Sequence, residues 1–153
     1  MAVDVYTTII IERPANVVAA YAADPDNAPS WYVNIDSVEW ETQRPLAVGS
    51  RLRFVARFLG RTLAYTYEVS AYTPGKLLVM RTAQGPFPME TTYTWAPAGT
   101  STRMTLRNRG VPAGFARLAG PLIATAMRLA NRKDLARLRR IMLTRIVPDG
   151  TQR

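Results

Sequence analysis

Val3, Val5, Thr7, Ile9 and Ile11 alternate with Asp4, Tyr6, Thr8, Ile10 and Glu12, which is the two-residue period of a half-buried strand. Pro14 ends it. That proline suits an early helical position, and beyond it Val17, Val18, Tyr21 and Ala22 fall at the three- and four-residue spacing of a short amphipathic helix. Asp24-Pro25-Asp26 interrupts the helix, residues 27–32 read as a loop or second short helix carrying Trp31, and an extended pattern resumes over 33–41.

Five further extended segments follow, at 50–59, 61–72, 76–83, 87–95 and 100–109. Gly49, Gly60, Pro74-Gly75, Gly85-Pro86 and Pro97-Ala98-Gly99 separate them, supplying permissive or fixed backbone angles where the chain reverses. Sequential strands usually pair with their neighbours, so the six form a meander, and the first strand joins at one edge to make seven.

Alternation assigns one face of this sheet: Leu52, Phe54, Ala56 and Phe58, then Leu63, Tyr65, Tyr67 and Val69. Met89, Thr91, Tyr93 and Trp95, with Thr102, Met104, Leu106 and Asn108, complete it. A face built only for packing favours Leu, Ile and Val. Tyr67, Tyr93, Thr91 and Asn108 depart from that, although tyrosine is also an ordinary strand residue that packs in cores with its hydroxyl satisfied.

After Gly110 the period becomes helical, with Pro112 at the start. Phe115, Leu118, Ala119 and Leu122 project to one side, whereas Met127, Leu135, Leu138, Ile141 and Met142 project to another. Gly120-Pro121 between them predicts a kink or a restart, because proline lacks the amide donor and crowds the preceding turn. Residues 118–127 are apolar nearly all round, and 131–146 are amphipathic, with Arg128, Arg132, Arg139 and Arg140 opposite or flanking the stripe. Residues 1–147 make one domain and 148–153 a flexible tail.

At 153 residues and 48% hydrophobic content the chain fits one core. It contains neither cysteine nor histidine, which removes disulfides, thiolate nucleophiles, Ser-His-Asp catalysis and zinc fingers together. Carboxylate, tyrosine, arginine or pure binding chemistry remains. Of the net charge of +9, residues 109–153 carry +8, so a basic terminal element is attached to an electrically ordinary body. Its Arg128, Arg132, Lys133, Arg137, Arg139 and Arg140 suit phosphates or an acidic partner, but a solvated helix face explains them as well, and no sequence-specific nucleic-acid binding is expected.

The start lacks the pattern of a signal peptide, and no apolar run is long enough to span a bilayer, so a cytoplasmic protein without membrane insertion is expected. Asp24 and Asp26, like Asp36, Glu39 and Glu41, form no compact metal loop, and the glycines match neither a P-loop nor a dinucleotide fingerprint. Neither a metal nor a cofactor is expected.

Strand, two small helices, six-stranded meander and long C-terminal helix is an order that resembles the START-like (SRPBCC) superfamily, particularly its polyketide cyclase/dehydrase and lipid-transport branch. The resemblance spans about residues 3–146. Its local carriers are Ile11-Glu12-Arg13-Pro14, the stretch from Pro25 to Trp31, Gly49-Ser50-Arg51, Thr73-Pro74-Gly75-Lys76-Leu77, Gly85-Pro86-Phe87, Gly99-Thr100-Ser101-Thr102-Arg103 and Asp134-Leu135-Ala136-Arg137-Leu138. It implies an α+β helix-grip fold, in which a strongly curved antiparallel sheet wraps a long helix around an apolar cavity.

The leading expectation is binding of a hydrophobic or aromatic small molecule, lipid-like or polyketide-like, with Trp31, Phe54, Tyr65, Tyr67, Met89, Tyr93, Met104, Leu122 and Met127 as the lining. Arg103 or Arg81 is a candidate partner for a ligand carboxylate or enolate. The enzymatic alternative is cyclisation or dehydration of a carbonyl-rich chain, with Tyr67 or Tyr93 donating to a developing enolate and Glu90 transferring a proton. Interaction of the basic helix with nucleic acid or an acidic partner is the third reading.

Overall fold

The computed structural model describes residues 3–58, 60–85, 88–111 and 120–144. Strand β1 (Val3–Ile11) leads into α1 (Ala15–Ala22), a 3-10 turn (Pro25–Asn27) and α2 (Ala28–Trp31). The meander then runs through β2 (Ile35–Trp40), β3 (Arg51–Phe58), β4 (Arg61–Thr73), β5 (Leu77–Gln84), β6 (Met89–Ala98) and β7 (Ser101–Gly110) before helix α3 (Gly120–Thr144). All seven strands join one antiparallel sheet in the order β1-β7-β6-β5-β4-β3-β2. The sheet curls into a half-barrel with the helix against it, the α+β helix-grip architecture expected above.

Local chemistry explains the breaks. Pro14 stands just before α1 as its cap, with φ −61° and ψ 147°, and its carbonyl accepts from the amides of Val17 and Val18, both at 3.1 Å. Asp24 caps the 3-10 turn by accepting from the Asp26 amide at 3.0 Å. The β6–β7 hairpin is tighter than the sequence pattern suggests: Pro97 and Ala98 stay in the strand, opposite Thr102 and Ser101, and Gly99 turns the chain at φ 65°. The Trp95 amide donates to Lys76 on the β5 side. The Pro97 nitrogen, two residues on, faces the same side beyond the start of β5, so its missing donor costs the sheet nothing.

The principal core gathers Trp31, Leu52, Leu78, Met104 and Leu106 under Leu135, Leu138 and Met142 of α3, all buried. Each such side chain stabilises the fold by about 1.5–3 kcal/mol. Val3, Val5, Ile123 and Met127 form a smaller cluster at the other end of the helix. Arg13 Nη1 donates to the Met142 carbonyl at 2.6 Å, and Arg139 grips Glu12 through two bonds of 3.0 and 2.9 Å. These ties hold α3 over β1 and α2, its main packing partners, and leave a gap above the central strands.

One expectation about the helix changes. Residues 121–127 are not buried all round, because Leu122 is 59% exposed and, with Leu129 seven residues on and Leu143 fourteen beyond that, lies on the outward face. Arg128, Arg132, Lys133 and Arg140 are exposed beside that stripe. Residues 112–119 lie outside the described residues, and with them the placements of Phe115, Leu118 and Ala119 and one arm of the predicted kink. The Phe58 side chain and the predicted tail at 148–153 lie outside as well.

Candidate functional site

A cavity of about 160 Å³ occupies the gap between the concave face and α3. Strand periodicity builds its floor: Phe54 on β3, Tyr65 and Tyr67 on β4, Met80 on β5, and Met89 and Tyr93 on β6 point the same way. Phe54 meets Tyr67 edge-on at 5.8 Å between ring centroids, and Tyr65 stands 6.0 Å from Tyr67. Met127 and Ala130 of α3 form the roof, while Tyr32 and Ile35 close the side next to α2.

Polar groups converge on this apolar chamber from three directions. The hydroxyls of Tyr32 and Tyr93 are hydrogen-bonded to each other. Thr91 donates to Asn108 Oδ1 at 2.8 Å, a direct cross-strand pair, and Tyr67 lines the same chamber. From the helix come Asn131 and Asp134, 4% and 3% exposed. Asp134 Oδ1 accepts the Val33 amide at 2.8 Å, which ties α3 to the chain leaving α2. The Asn131 Nδ2 has no partner among the described residues.

Burial governs the proton affinities. Removal from water pushes the Asp134 carboxyl up to about 6, against the pull of the Val33 amide and of Arg137 one turn along. The same cause raises the hydroxyls of Tyr32, Tyr65, Tyr67 and Tyr93, and the negative charge of Asp134 adds to the rise at Tyr32 and Tyr93. Near neutral pH these tyrosines are hydrogen-bond donors rather than bases, and among the described residues Asp134 is the one acidic side chain reaching the cavity.

Of the nine lining residues expected from sequence, Phe54, Tyr65, Tyr67, Met89, Tyr93 and Met127 line the cavity; Trp31, Met104 and Leu122 do not. Trp31 is fully buried behind the wall, stacked on Tyr32 at 4.2 Å and 5.9 Å from Tyr93. Met104 is also fully buried in the core, opposite Trp95 and Ile9, beyond the row that reaches the cavity. Leu122 faces solvent because the helix turns its side chain outward, toward Leu129.

Glu90, the proton carrier expected from sequence, points to the convex side and pairs with Arg81 at 3.0 Å, since it alternates with the inward Met89. Arg81 is engaged there and Arg103 is exposed, so neither lines the cavity. Sequence reasoning passed over Tyr32, Asn131 and Asp134. The last two had a signal: they stand four and seven residues after Met127, on the buried stripe of a helix otherwise rich in arginine.

A second recess, of about 280 Å³, lies beside Trp40, Arg44 and Asp26. Its polar groups already satisfy one another: Asp26 accepts from Trp40 Nε1 at 2.9 Å and from Arg44 at 2.9–3.2 Å. Among the described residues no cluster of three or more acidic side chains is placed to hold a metal ion, and no helix is long and apolar enough to cross a membrane.

The family model described as polyketide cyclase / dehydrase and lipid transport matches residues 2–142. The chain belongs to that family. No curated protein sequence matches it. Among solved structures, the Zhui aromatase/cyclase from a Streptomyces species superposes with a TM-score of 0.81 at 14% identity, covering 98% of this chain and 99% of that one. TTHA0849 from Thermus thermophilus gives 0.80 at 21% identity, covering 92% and 97%. A START superfamily protein from Mycobacterium smegmatis gives 0.63 at 20% identity, covering 87% and 98%. At these identities the likeness shows the fold alone, and the chemistry must be read from this chain's own side chains.

Proposed function

We propose that the protein binds a small hydrophobic or aromatic molecule between sheet and helix, held by its apolar surface and oriented by one or two hydrogen bonds. The observation that supports this is the pairing of an aromatic chamber with buried polar groups that have capacity left over, above all the Asn131 amide, unpartnered among the described residues. Volume limits the occupant. A dry engineered cavity of about 150 Å³ takes one benzene, so about 160 Å³ encloses one ring with a short substituent. Larger ligands extend through the side lined by Asn34 and Arg57, where Arg57 is itself paired with Asp36 at 3.0 Å.

Titration with indole, 1-naphthol and benzene, followed through the methyl resonances of Met80, Met89 and Met127, tests the reading. Saturable shifts confined to those methyls, lost in Ala130→Phe with an unchanged far-ultraviolet spectrum, are the expected result. Unmoved resonances across the panel refute it.

The catalytic alternative, cyclisation or dehydration of a carbonyl-rich chain, is favoured by the convergence of the Tyr32–Tyr93 hydroxyl pair and Asp134 on one chamber. In that reading a tyrosine donates to the developing enolate, and Asp134 takes the proton role in place of Glu90. The volume favours binding of a single ring over cyclisation of an extended chain, because pockets that take drug-sized ligands run to about 300–1,000 Å³.

A further inference from the structure

Asp134 is an anomaly in a chain with 20 lysines and arginines against 11 acids. Seven carboxylates among the described residues have an arginine within 3.7 Å, and each of these is at least a quarter exposed at its side chain. Asp134, 3% exposed, has no such partner among them. One backbone amide reaches it, from Val33 at 2.8 Å, whereas an ionised carboxylate offers about four acceptor positions. A buried charge without a partner is costly, and proteins retain such groups where something else completes them.

Around this carboxyl the walls are aromatic. Tyr32 approaches from the end of α2, Tyr67 from β4 and Tyr93 from β6, all in the same chamber. Ring faces attract cations, more strongly where water is excluded. Arg137, one turn along α3, lowers the proton affinity of Asp134 without forming an ion pair with it, and Arg57 in the cavity wall is engaged by Asp36. Asn131, one turn before Asp134, adds a buried Nδ2 that needs an acceptor.

Building on the ligand-binding reading above, we propose that the occupant is a small arylalkyl amine, one aromatic ring with a protonated nitrogen and an oxygen on a short aliphatic arm. The Asp134 carboxylate is its counter-ion, the tyrosine rings are its walls, and the Asn131 amide donates to its oxygen. With its carboxyl at about 6, Asp134 is mostly ionised at pH 7.5 and about one tenth ionised at pH 5. The amine keeps its charge throughout, so its affinity falls about tenfold between those values.

Three probes of one shape separate the possibilities: 2-amino-1-phenylethanol, the neutral 1-phenyl-1,2-ethanediol and the anionic mandelate. Calorimetric titration at pH 7.5 and pH 5 is expected to show the amine binding at least tenfold more tightly than the diol at pH 7.5, mandelate weakest, and the preference collapsing at pH 5. Asp134→Asn, which keeps an acceptor for the Val33 amide, is expected to bind amine and diol alike. The pH series on the unaltered protein decides the same question if that variant does not fold. Equal affinity for amine and diol overturns the amine assignment and leaves the cavity reading standing. No binding by any of the three overturns it too, while the neutral aromatic panel decides the cavity reading on its own.

Discussion

Tyr93→Phe removes one oxygen and leaves the ring packing intact, so its effect isolates the hydroxyl pair with Tyr32. In the variant the Tyr32 hydroxyl keeps its place beside the chamber but loses its partner. An orphaned buried hydroxyl costs about 1–3 kcal/mol, and a cavity of about 160 Å³ admits water that takes up part of the lost bond. The expected loss is therefore about 1–2 kcal/mol, or roughly 2–8 °C in melting temperature for a domain of this size. Tyr32→Phe should cost a similar amount for the same reason. The double variant decides the matter: with both hydroxyls gone nothing is left unsatisfied, so it should be no less stable than either single one. Urea unfolding at pH 7, with midpoint and slope fitted for all four proteins, measures this directly. Tyr6→Phe, at a site 63% exposed, is the control and should not move the midpoint. A double variant whose loss equals the sum of the two single losses refutes the pairing.

Gly85→Ala drives a methyl into the Tyr65 ring at Cδ1 and to 3.0 Å from Cε1; moving that ring costs about 1–3 kcal/mol, and an unchanged melting temperature with unchanged Tyr65 ring signals counts against the geometry. The raised proton affinity of Asp134 means that the native state binds a proton more tightly than the unfolded chain, whose carboxyl sits near 3.8. That contribution to stability is complete below pH 4, falls as pH rises towards 6 and is gone above it, a loss of about 2–3 kcal/mol. The stability difference between wild type and Asp134→Asn, measured by urea unfolding from pH 4 to pH 8, should shift in the variant's favour across that window, and a flat difference refutes it.

Strand faces were legible from sequence because a period of two fixes which residues share a side, and Tyr65, Tyr67, Met89 and Tyr93 fall on the cavity side as expected. Periodicity carries no information about how far along a strand the helix leaves the sheet. Met104 shares the parity of the lining residues and yet lies deep in the core, since α3 and α1 cover that end of the sheet. Trp31 and Tyr32 were a harder case. They are adjacent at the end of a four-residue helix, and only the exit of the chain at Tyr32, in extended conformation with φ −77° and ψ 124°, accompanies a hydroxyl turned to the chamber and an indole left behind it. Leu122 misled because hydrophobicity was taken as burial, whereas part of the surface of any folded chain is apolar. Asp134 was hidden by its neighbours: among so many arginines a lone acid reads as a surface ion-pair partner, and only its angular position on the helix shows otherwise.

The first strand of the sheet lies against the strand that closes the meander, with Val3 opposite Gly110 and Ile11 opposite Thr102. Synthesis runs in one direction, so β1 leaves the ribosome ahead of its partner, which emerges about one hundred residues later, a delay on the order of 5–20 s at ordinary elongation rates. For that interval the segment VDVYTTIII, rich in β-branched residues, has no sheet to join and offers an open backbone to other nascent chains. In the finished sheet β1 is an edge strand, so pairing with β7 covers one of its two backbone edges. Its yield in a cell depends on how quickly the β6–β7 hairpin presents its outer edge to the waiting strand, even for sequence changes that leave the native fold equally stable.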